Sequence, residues 1–367
     1  YSEKIINQAA FDQILNGNNL TKPSTIELEA AELLIKEIKS IDMVKFTKNG
    51  STAVSAGVKL ARAYTGRDLI ARCSQHPFFS YDDWFIGSTP IKKGIPKSIQ
   101  KLTKHFYYND IESLEKLIKR YPNKIACVVL EPATHICPKV NSSNKDCCGK
   151  IKCDRSFKNS KNNYLIQVER LCKKHGIVFI LDEMITGLRL NATSAQNYLN
   201  IRPSISTFGK CFGGGLPIGI IALRKDVVKK ILKKNISSVF FGGTFSGNSI
   251  NTYLGNQITK YIVKNKRKIF TDLEKKSKYL EKELNNFFKL KKFDARCLRV
   301  SSMLRLVFTN NQVKNRYQRD FFEKKKNTKI SKFRNYLFSK NIYYPSSGII
   351  FIGNSTSYKD LRYLIKI

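Results

Sequence analysis

An apolar run that closes on a carboxylate, Gly176-Ile-Val-Phe-Ile-Leu-Asp182, is followed 28 residues later by a lysine set among glycines, in Ser206-Thr-Phe-Gly-Lys210-Cys-Phe-Gly-Gly-Gly-Leu-Pro-Ile-Gly219. The first run reads as a buried parallel strand, because strands covered on both faces are apolar almost continuously. In such sheets ligands gather beyond the carboxyl ends of the strands, which is where Asp182 falls. Taken singly, a strand-end Asp is usually a turn or cap residue, and a lysine before glycines a solvated loop charge. Their pairing, in the company of further segments, gives them chemical weight.

A lysine amine can hold pyridoxal phosphate as a Schiff base, exchange it for a substrate amine and then move protons; Lys210 is the candidate. A carboxylate facing the pyridine nitrogen keeps that nitrogen protonated, so that the ring can accept electrons; Asp182 is the candidate. Further segments join these two in order: Asn49-Gly-Ser-Thr-Ala53, Leu60-Ala-Arg-Ala-Tyr-Thr-Gly-Arg67, Leu130-Glu-Pro132, Asp182-Glu-Met-Ile-Thr-Gly-Leu-Arg189, Thr207-Phe-Gly-Lys210 and Gly243-Thr-Phe-Ser-Gly-Asn248. With these segments the chain resembles the class III aminotransferases, in particular their glutamate-1-semialdehyde 2,1-aminomutase branch. The segments span most of the chain.

The resemblance implies an α/β fold, that of a fold-type I pyridoxal phosphate-dependent transferase. Its large domain would hold a mostly parallel seven-stranded sheet flanked by helices, with a smaller α+β domain at the C-terminus. It implies Lys210 and Asp182 as catalytic residues, and Asn49, Gly50 and Ser51 as the turn that cradles the cofactor phosphate. That turn opens a helical pattern from Thr52 to Tyr64, and a helix start offers free N–H groups and a positive dipole end to an anion. Read from the residues alone, Asn49-Gly50 is a turn and Ser51 an N-cap. Glu131, after the strand Ile125–Leu130, resembles a family glutamate near the cofactor. Met184 stands where the family has an apolar residue on the ring face. Gly243 and Thr244 resemble the residues that reach the phosphate of the neighbouring subunit's cofactor, which implies a homodimer with shared active sites.

The chain also departs from the family. Where an aromatic residue, His and Gly are common, it reads Gln75-His76-Pro77-Phe78-Phe79, so the stacking on the cofactor falls to His76 or Phe78. The phosphate turn reads Lys-Asn-Gly-Ser-Thr-Ala in place of the mutase form Asn-Ser-Gly-Thr-Glu-Ala. The chain opens on Tyr1, and the resemblance leads one to expect a further, pocket-lining segment before it.

At 367 residues and 42% hydrophobic content, the chain can bury a large core and divides into more than one domain. The expected division is an N-terminal helical segment over 1–40, a large cofactor-binding α/β domain over 41–265 and a small α+β domain over 266–367. Pro23, Ser24 and Glu27 stand in capping-box order at a helix start. Leu69–Cys73 and Ile218–Leu223 read as strands, Ile269–Leu290 as a long amphipathic helix, Arg299–Phe308 as a strand, Gln318–Lys340 as an interrupted helix and Ile349–Ile352 as a last strand.

The net charge of +38 raises nucleic-acid binding. The lysines are spread along the whole chain on expected solvated helix faces, however, and such charge bears on solubility and non-specific association rather than on fold or reaction. Of nine cysteines, Cys137, Cys147, Cys148 and Cys153 fall in or beside a polar stretch, 141–163, that looks like a surface insertion; their intervals of nine, zero and four residues do not match paired zinc spacing, and no metal is assigned. Cys73, Cys127, Cys172 and Cys211 sit in apolar patterns, as reduced core residues of a cytoplasmic protein do. No apolar run is long enough to cross a membrane.

The expected function is pyridoxal phosphate-dependent amino-group transfer on a small amino or carbonyl compound, with the cofactor passing through its pyridoxamine phosphate form. As an isomerase, the chain would convert glutamate 1-semialdehyde to 5-aminolevulinate. As a transferase, it would move the amino group from a donor such as glutamate to a separate aldehyde or ketone. A protein that binds the cofactor, or a polyanion, without turnover is the reading of another class.

Overall fold

The computed structural model describes residues 3–18, 22–134, 136–138, 163–233, 239–313 and 315–367. Cys147, Cys148 and Cys153 lie outside the described residues. The chain forms two compact units, Tyr1–Pro132 with Tyr164–Lys264, and Ala133–Asn163 with Asn265–Ile367.

The first unit is built on a seven-stranded sheet of β1 (Met43–Thr47), β2 (Leu69–Cys73), β3 (Thr103–Phe106), β4 (Ile125–Leu130), β5 (Val178–Asp182), β6 (Ile205–Gly209) and β7 (Gly219–Leu223), in the order β1-β7-β6-β5-β4-β2-β3. β7 pairs antiparallel with both β6 and β1, and every other pairing is parallel. Only β7 therefore runs against the rest, and the carboxyl ends of the other six strands lie on one edge. β4 and β5 are buried at every residue, which accounts for their unbroken apolar sequences.

Alternation along the strands feeds two cores. Ile180, Ile205, Ile221 and Leu223 turn to one face, where they meet Val54 and Val58 of the Gly50–Thr65 helix. Phe46, Phe208, Ile220 and Ala222 turn to the other, against Ala30, Leu34 and Ile38 of the N-terminal segment. Burying each such side chain contributes about 1.5–3 kcal/mol. These two layers hold the β1-β7-β6-β5 half of the sheet, the part that carries Asn49, Asp182 and Lys210.

At the helix Thr25–Glu37 the capping box is absent: Ser24 takes the extended N-cap conformation but makes no side-chain cap bond. Glu27 turns elsewhere. Its carboxylate lies against Gly247, where an added Cβ would stand 2.3 Å from Glu27 Oε1.

The second unit holds an antiparallel sheet in the order β10-β9-β8, from β8 (Arg296–Val300), β9 (Met303–Val307) and β10 (Ile349–Phe351). The helices Lys266–Leu290, Arg316–Lys324, Asn327–Ser339 and Tyr358–Lys366 belong to the same unit. The single strand expected over Arg299–Phe308 is instead a hairpin. It turns at Ser301 and Ser302, and Ser301 takes φ +53°, a left-handed conformation that apolar alternation does not reveal.

β7 approaches the carboxyl end of β1 so closely that a Cβ on Gly219 would stand 2.1 Å from the Asn49 carbonyl oxygen and 2.3 Å from Thr47 Oγ1. Gly219→Ala should therefore force β1 and β7 apart, lowering stability by about 3 kcal/mol in urea unfolding. An unchanged unfolding midpoint would contradict this close packing.

Candidate active site

The edge at the carboxyl ends of the strands collects most of the residues singled out above. Asp182 is the last residue of β5 and pairs with Thr207 of β6, three residues before Lys210. Asn49 and Gly50 follow β1, and the β1–β7 and β6–β7 registers both reach Gly219, so the ends of β1 and β6 flank one residue. Leu130 pairs with Leu181, which sets Glu131 beside Asp182. Arg72 pairs with Val129, which brings the segment after β2, with His76, to the same edge.

Met184 binds three of these pieces together. Its backbone N–H donates to Asp182 Oδ1 at 2.9 Å. Its Sδ lies 2.7 Å from where a Cβ on Gly50 would stand and 2.8 Å from one on Gly209. Both glycines are thus required for the thioether to fit between the Asn49 turn and the Lys210 turn. Lys210 is exposed and has φ +50° at the start of a 3-10 turn, Lys210–Gly213. This left-handed backbone costs about 1 kcal/mol for a residue with a Cβ, and such strain concentrates at functional positions.

Asn49 is the N-cap of the Gly50–Thr65 helix, and Ser51 is not. Asn49 Oδ1 accepts from Thr52 N at 3.0 Å and from Thr52 Oγ1 at 3.1 Å. The first-turn N–H groups beyond that cap are those an anion can use. Ser51 Oγ accepts from Tyr81 N at 3.2 Å.

The two candidates for stacking differ sharply. His76 is buried, its Nδ1 accepts from Glu131 N–H at 2.9 Å, and its ring lies 5.1 Å from that of Tyr108. Its proton therefore sits on Nε2. Phe78 is exposed and meets the Phe85 ring edge to face at 5.6 Å. Gly243 and Thr244 lie exposed in the loop before the helix Ser249–Lys264.

Burial pushes the Asp182 carboxyl up to about 7, opposed by the Met184 N–H, the Lys210 charge and the Thr207 hydroxyl. Glu183, to which the sequence reading assigned no role, is also buried and pushed up to about 7. It accepts from Ala195 N, from Gln196 N at 3.0 Å and from Gln196 Nε2 at 3.1 Å, while its own N–H donates to Thr207 O at 2.8 Å. Glu183 thereby ties the loop after β5 to the start of the Ala195–Leu199 helix. Its only signal in the sequence is its place next to Asp182. Cys73 and Cys127 are fully buried, which pushes their thiols up to about 12 and keeps them unreactive. Among the described residues no group of His, Cys, Asp and Glu could hold a metal ion, and no helix is long and apolar enough to cross a membrane.

A buried carboxyl, an exposed amine on a strained turn and a helix start, spaced by glycines on one sheet edge, fit a flat cationic heteroaromatic carrying a phosphate. The fold is that of the fold-type I pyridoxal phosphate-dependent transferases. It matches an omega-transaminase from Sphaerobacter thermophilus with a TM-score of 0.80 at 21% identity, over 100% of this chain and 82% of that one. It matches a glutamate-1-semialdehyde-aminomutase from Pseudomonas aeruginosa with a TM-score of 0.81 at 15% identity, over 100% and 79%. The model of aminotransferase class-III matches residues 151–330. The glutamate-1-semialdehyde 2,1-aminomutase of Thermosipho africanus is 31% identical over 351 residues, 92% of this chain and 76% of that protein. That of Thermosipho melanesiensis is 29% identical over 382 residues, 100% and 83%. The chain belongs to the class III aminotransferases, enzymes that transfer amino groups with pyridoxal phosphate.

Because Asp182 and Glu183 hold their protons to higher pH when folded than when unfolded, their contribution to stability is full below pH 4 and disappears as pH rises through about 7. In the cofactor-free protein, Asp182→Asn should therefore gain on the wild type between pH 4 and pH 8, by on the order of 4 kcal/mol in urea unfolding. Parallel stability curves for the two proteins would assign Asp182 an ordinary carboxyl.

Proposed function

We propose that this chain moves an amino group within one small skeleton, as a glutamate-1-semialdehyde 2,1-aminomutase, with Lys210 and Asp182 as its catalytic residues. The observation that carries the assignment of roles is the placing of Asp182 and Lys210 at the ends of paired strands, joined through Met184 to the helix start at Asn49. The choice of the mutase rests on the relatives of that name.

Bound pyridoxal phosphate supplies an electron sink for a carbon that loses a proton, and a carrier for the amino group in its pyridoxamine phosphate form. Asp182, held by the Met184 N–H, would face the ring nitrogen and keep it protonated, and a cation there would return this buried carboxyl to its charged form. Lys210 Nζ would hold the cofactor and, once released, serve as the base that takes and returns the substrate proton. The N–H groups of Gly50 and Ser51, with Asn49 fixing the turn, receive the phosphate. Met184 would support the ring face, and His76 and Glu131 line the same edge, with His76 Nδ1 accepting from the Glu131 N–H.

In this reading two copies share their active sites, each supplying Gly243 and Thr244 to the other's phosphate. The exposure of that loop, including Phe240 and Phe245, and of Ile5, Phe11, Ile14 and Leu15 on the N-terminal helix supports such pairing. The division at 1–40, 41–265 and 266–367 is kept as the functional organisation. The buried, unpaired thiols Cys73, Cys127, Cys172 and Cys297 suit a cytoplasmic setting.

Purified holoenzyme should convert glutamate 1-semialdehyde to 5-aminolevulinate without stoichiometric 2-oxoglutarate, and Lys210→Ala should lower turnover by at least about a thousandfold. If L-glutamate instead drives the cofactor to its pyridoxamine form with matching 2-oxoglutarate, and glutamate 1-semialdehyde is not isomerised, the enzyme is an intermolecular aminotransferase. A Lys210→Ala protein with undiminished activity would remove the assigned lysine.

A further inference from the structure

The second unit contains a cavity of about 420 Å³ among β9, the Arg316–Lys324 and Asn327–Ser339 helices and the loop that leads to β10. Among the described residues, four arginines line it, Arg305, Arg316, Arg319 and Arg334, against two carboxylates, Asp320 and Glu323. The lining thus carries four positive charges and two negative, a net of +2.

The charges are deep. Arg305 is 7% exposed, Arg319 6% and Glu323 7%. Glu323 stands between the two cations, with its Oε2 3.1 Å from Arg305 Nη2 and 3.7 Å from Arg319 Nε, and it also accepts from Phe308 N at 3.2 Å. Glu323 is thus shared between two buried guanidiniums. Asp320, which pairs with Arg319 and Arg316, is half exposed and screened by water. Burial and the neighbouring Arg305 push the Arg319 guanidinium below its usual range.

Hydrogen bonding points the same way. Among the described residues, the Nε atoms of Arg305 and Arg334 are buried without an acceptor. A buried donor left unmet costs about 1–3 kcal/mol. The backbone keeps the space open: Gly348 has φ +69°, and a Cβ there would stand 2.8 Å from Arg305 Nη1. Tyr344 OH, in the same wall, donates to Gly348 O at 3.1 Å and fixes that loop over the cavity.

We propose that this cavity binds a phosphate group, either as free inorganic phosphate or as that of a small phosphomonoester. A phosphate carries a charge of about −1.5 to −2 at neutral pH and three strong acceptor oxygens, which match the excess charge and the guanidinium donors. Planar guanidiniums pair with it through two parallel bonds. The site consists only of residues of the second unit, and its existence does not depend on the reaction assigned above.

The test is calorimetric titration of the holoenzyme with inorganic phosphate, then with glycerol 3-phosphate, while the cofactor absorbance is followed. One saturable site per chain is expected, with the absorbance unchanged. Arg334→Gln removes one guanidinium without unpairing Glu323, and Arg305→Lys keeps the ion pair but loses the Nε donor. Each should weaken binding by about tenfold or more, with far-UV circular dichroism and turnover retained. Tighter binding of glycerol 3-phosphate identifies a phosphomonoester as the ligand, and tighter binding of inorganic phosphate identifies the free ion. The proposal is overturned by absence of saturable binding at millimolar phosphate, by affinities unchanged in both variants, or by succinate binding as tightly as either phosphate.

Discussion

Two adjacent carboxyl groups, Asp182 and Glu183, are buried where the central strand β5 ends, and the rest of the first unit is arranged around that burden. A carboxylate taken out of water without partners is costly enough to neutralise itself. Glu183 meets the problem with backbone and amide donors from Ala195 and Gln196, and so becomes the peg that holds the loop after β5. Asp182 has one amide, that of Met184, and a lysine charge nearby. The asymmetry is chemical: the satisfied carboxyl is architectural, whereas the other is left to be completed by a cation. Under the proposed roles, the protonated ring nitrogen of pyridoxal phosphate would be that cation.

The same edge shows how little space is left to chance. Gly50 and Gly209 flank the Met184 thioether, and Gly219 admits the Asn49 carbonyl against β7. These contacts link β1, β5, β6 and β7, through the Met184 side chain at Gly50 and Gly209 and through backbone at Gly219. The Asn49 turn, the Asp182 carboxyl and the Lys210 turn are therefore positioned by the sheet itself rather than by loops.

Much of this was legible from the residues. β2 and β4 coincide with the expected runs Leu69–Cys73 and Ile125–Leu130; β4, buried at every residue, writes itself as continuous hydrophobic sequence, while β2 carries Arg72 within it. The mostly parallel sheet and the smaller α+β unit followed from the family resemblance, and the comparisons bear both out. What escaped notice depends on distant partners. The Ser301 turn that splits β8 from β9 needs a left-handed serine, which carries no strong residue signal. Glu27 stands in capping position but turns to Gly247, a neighbour far away in sequence. Glu183 is one charged residue in a motif until Ala195 and Gln196 are seen to close on it. The turn at Asn49 was read correctly as a turn, while the cap within it belongs to Asn49 and not to Ser51.

The chain's unusual charge takes on meaning when burial is considered with it. With 66 basic residues against 28 acidic ones, acids are scarce, yet several of them are buried or half buried. Asp182 and Glu183 end β5, Glu274 and Glu281 both pair with the buried Arg299, and Glu323 separates Arg305 from Arg319. Most cations need no such partner, because lysines on helix faces remain hydrated and screened. Arginines drawn into an interior do need one. In the second unit two carboxylates meet one guanidinium at Arg299, whereas Asp320 and Glu323 are shared among Arg305, Arg316 and Arg319. A net charge spread over the surface says little about recognition, whereas an imbalance enclosed in a cavity has to be answered by something that enters it.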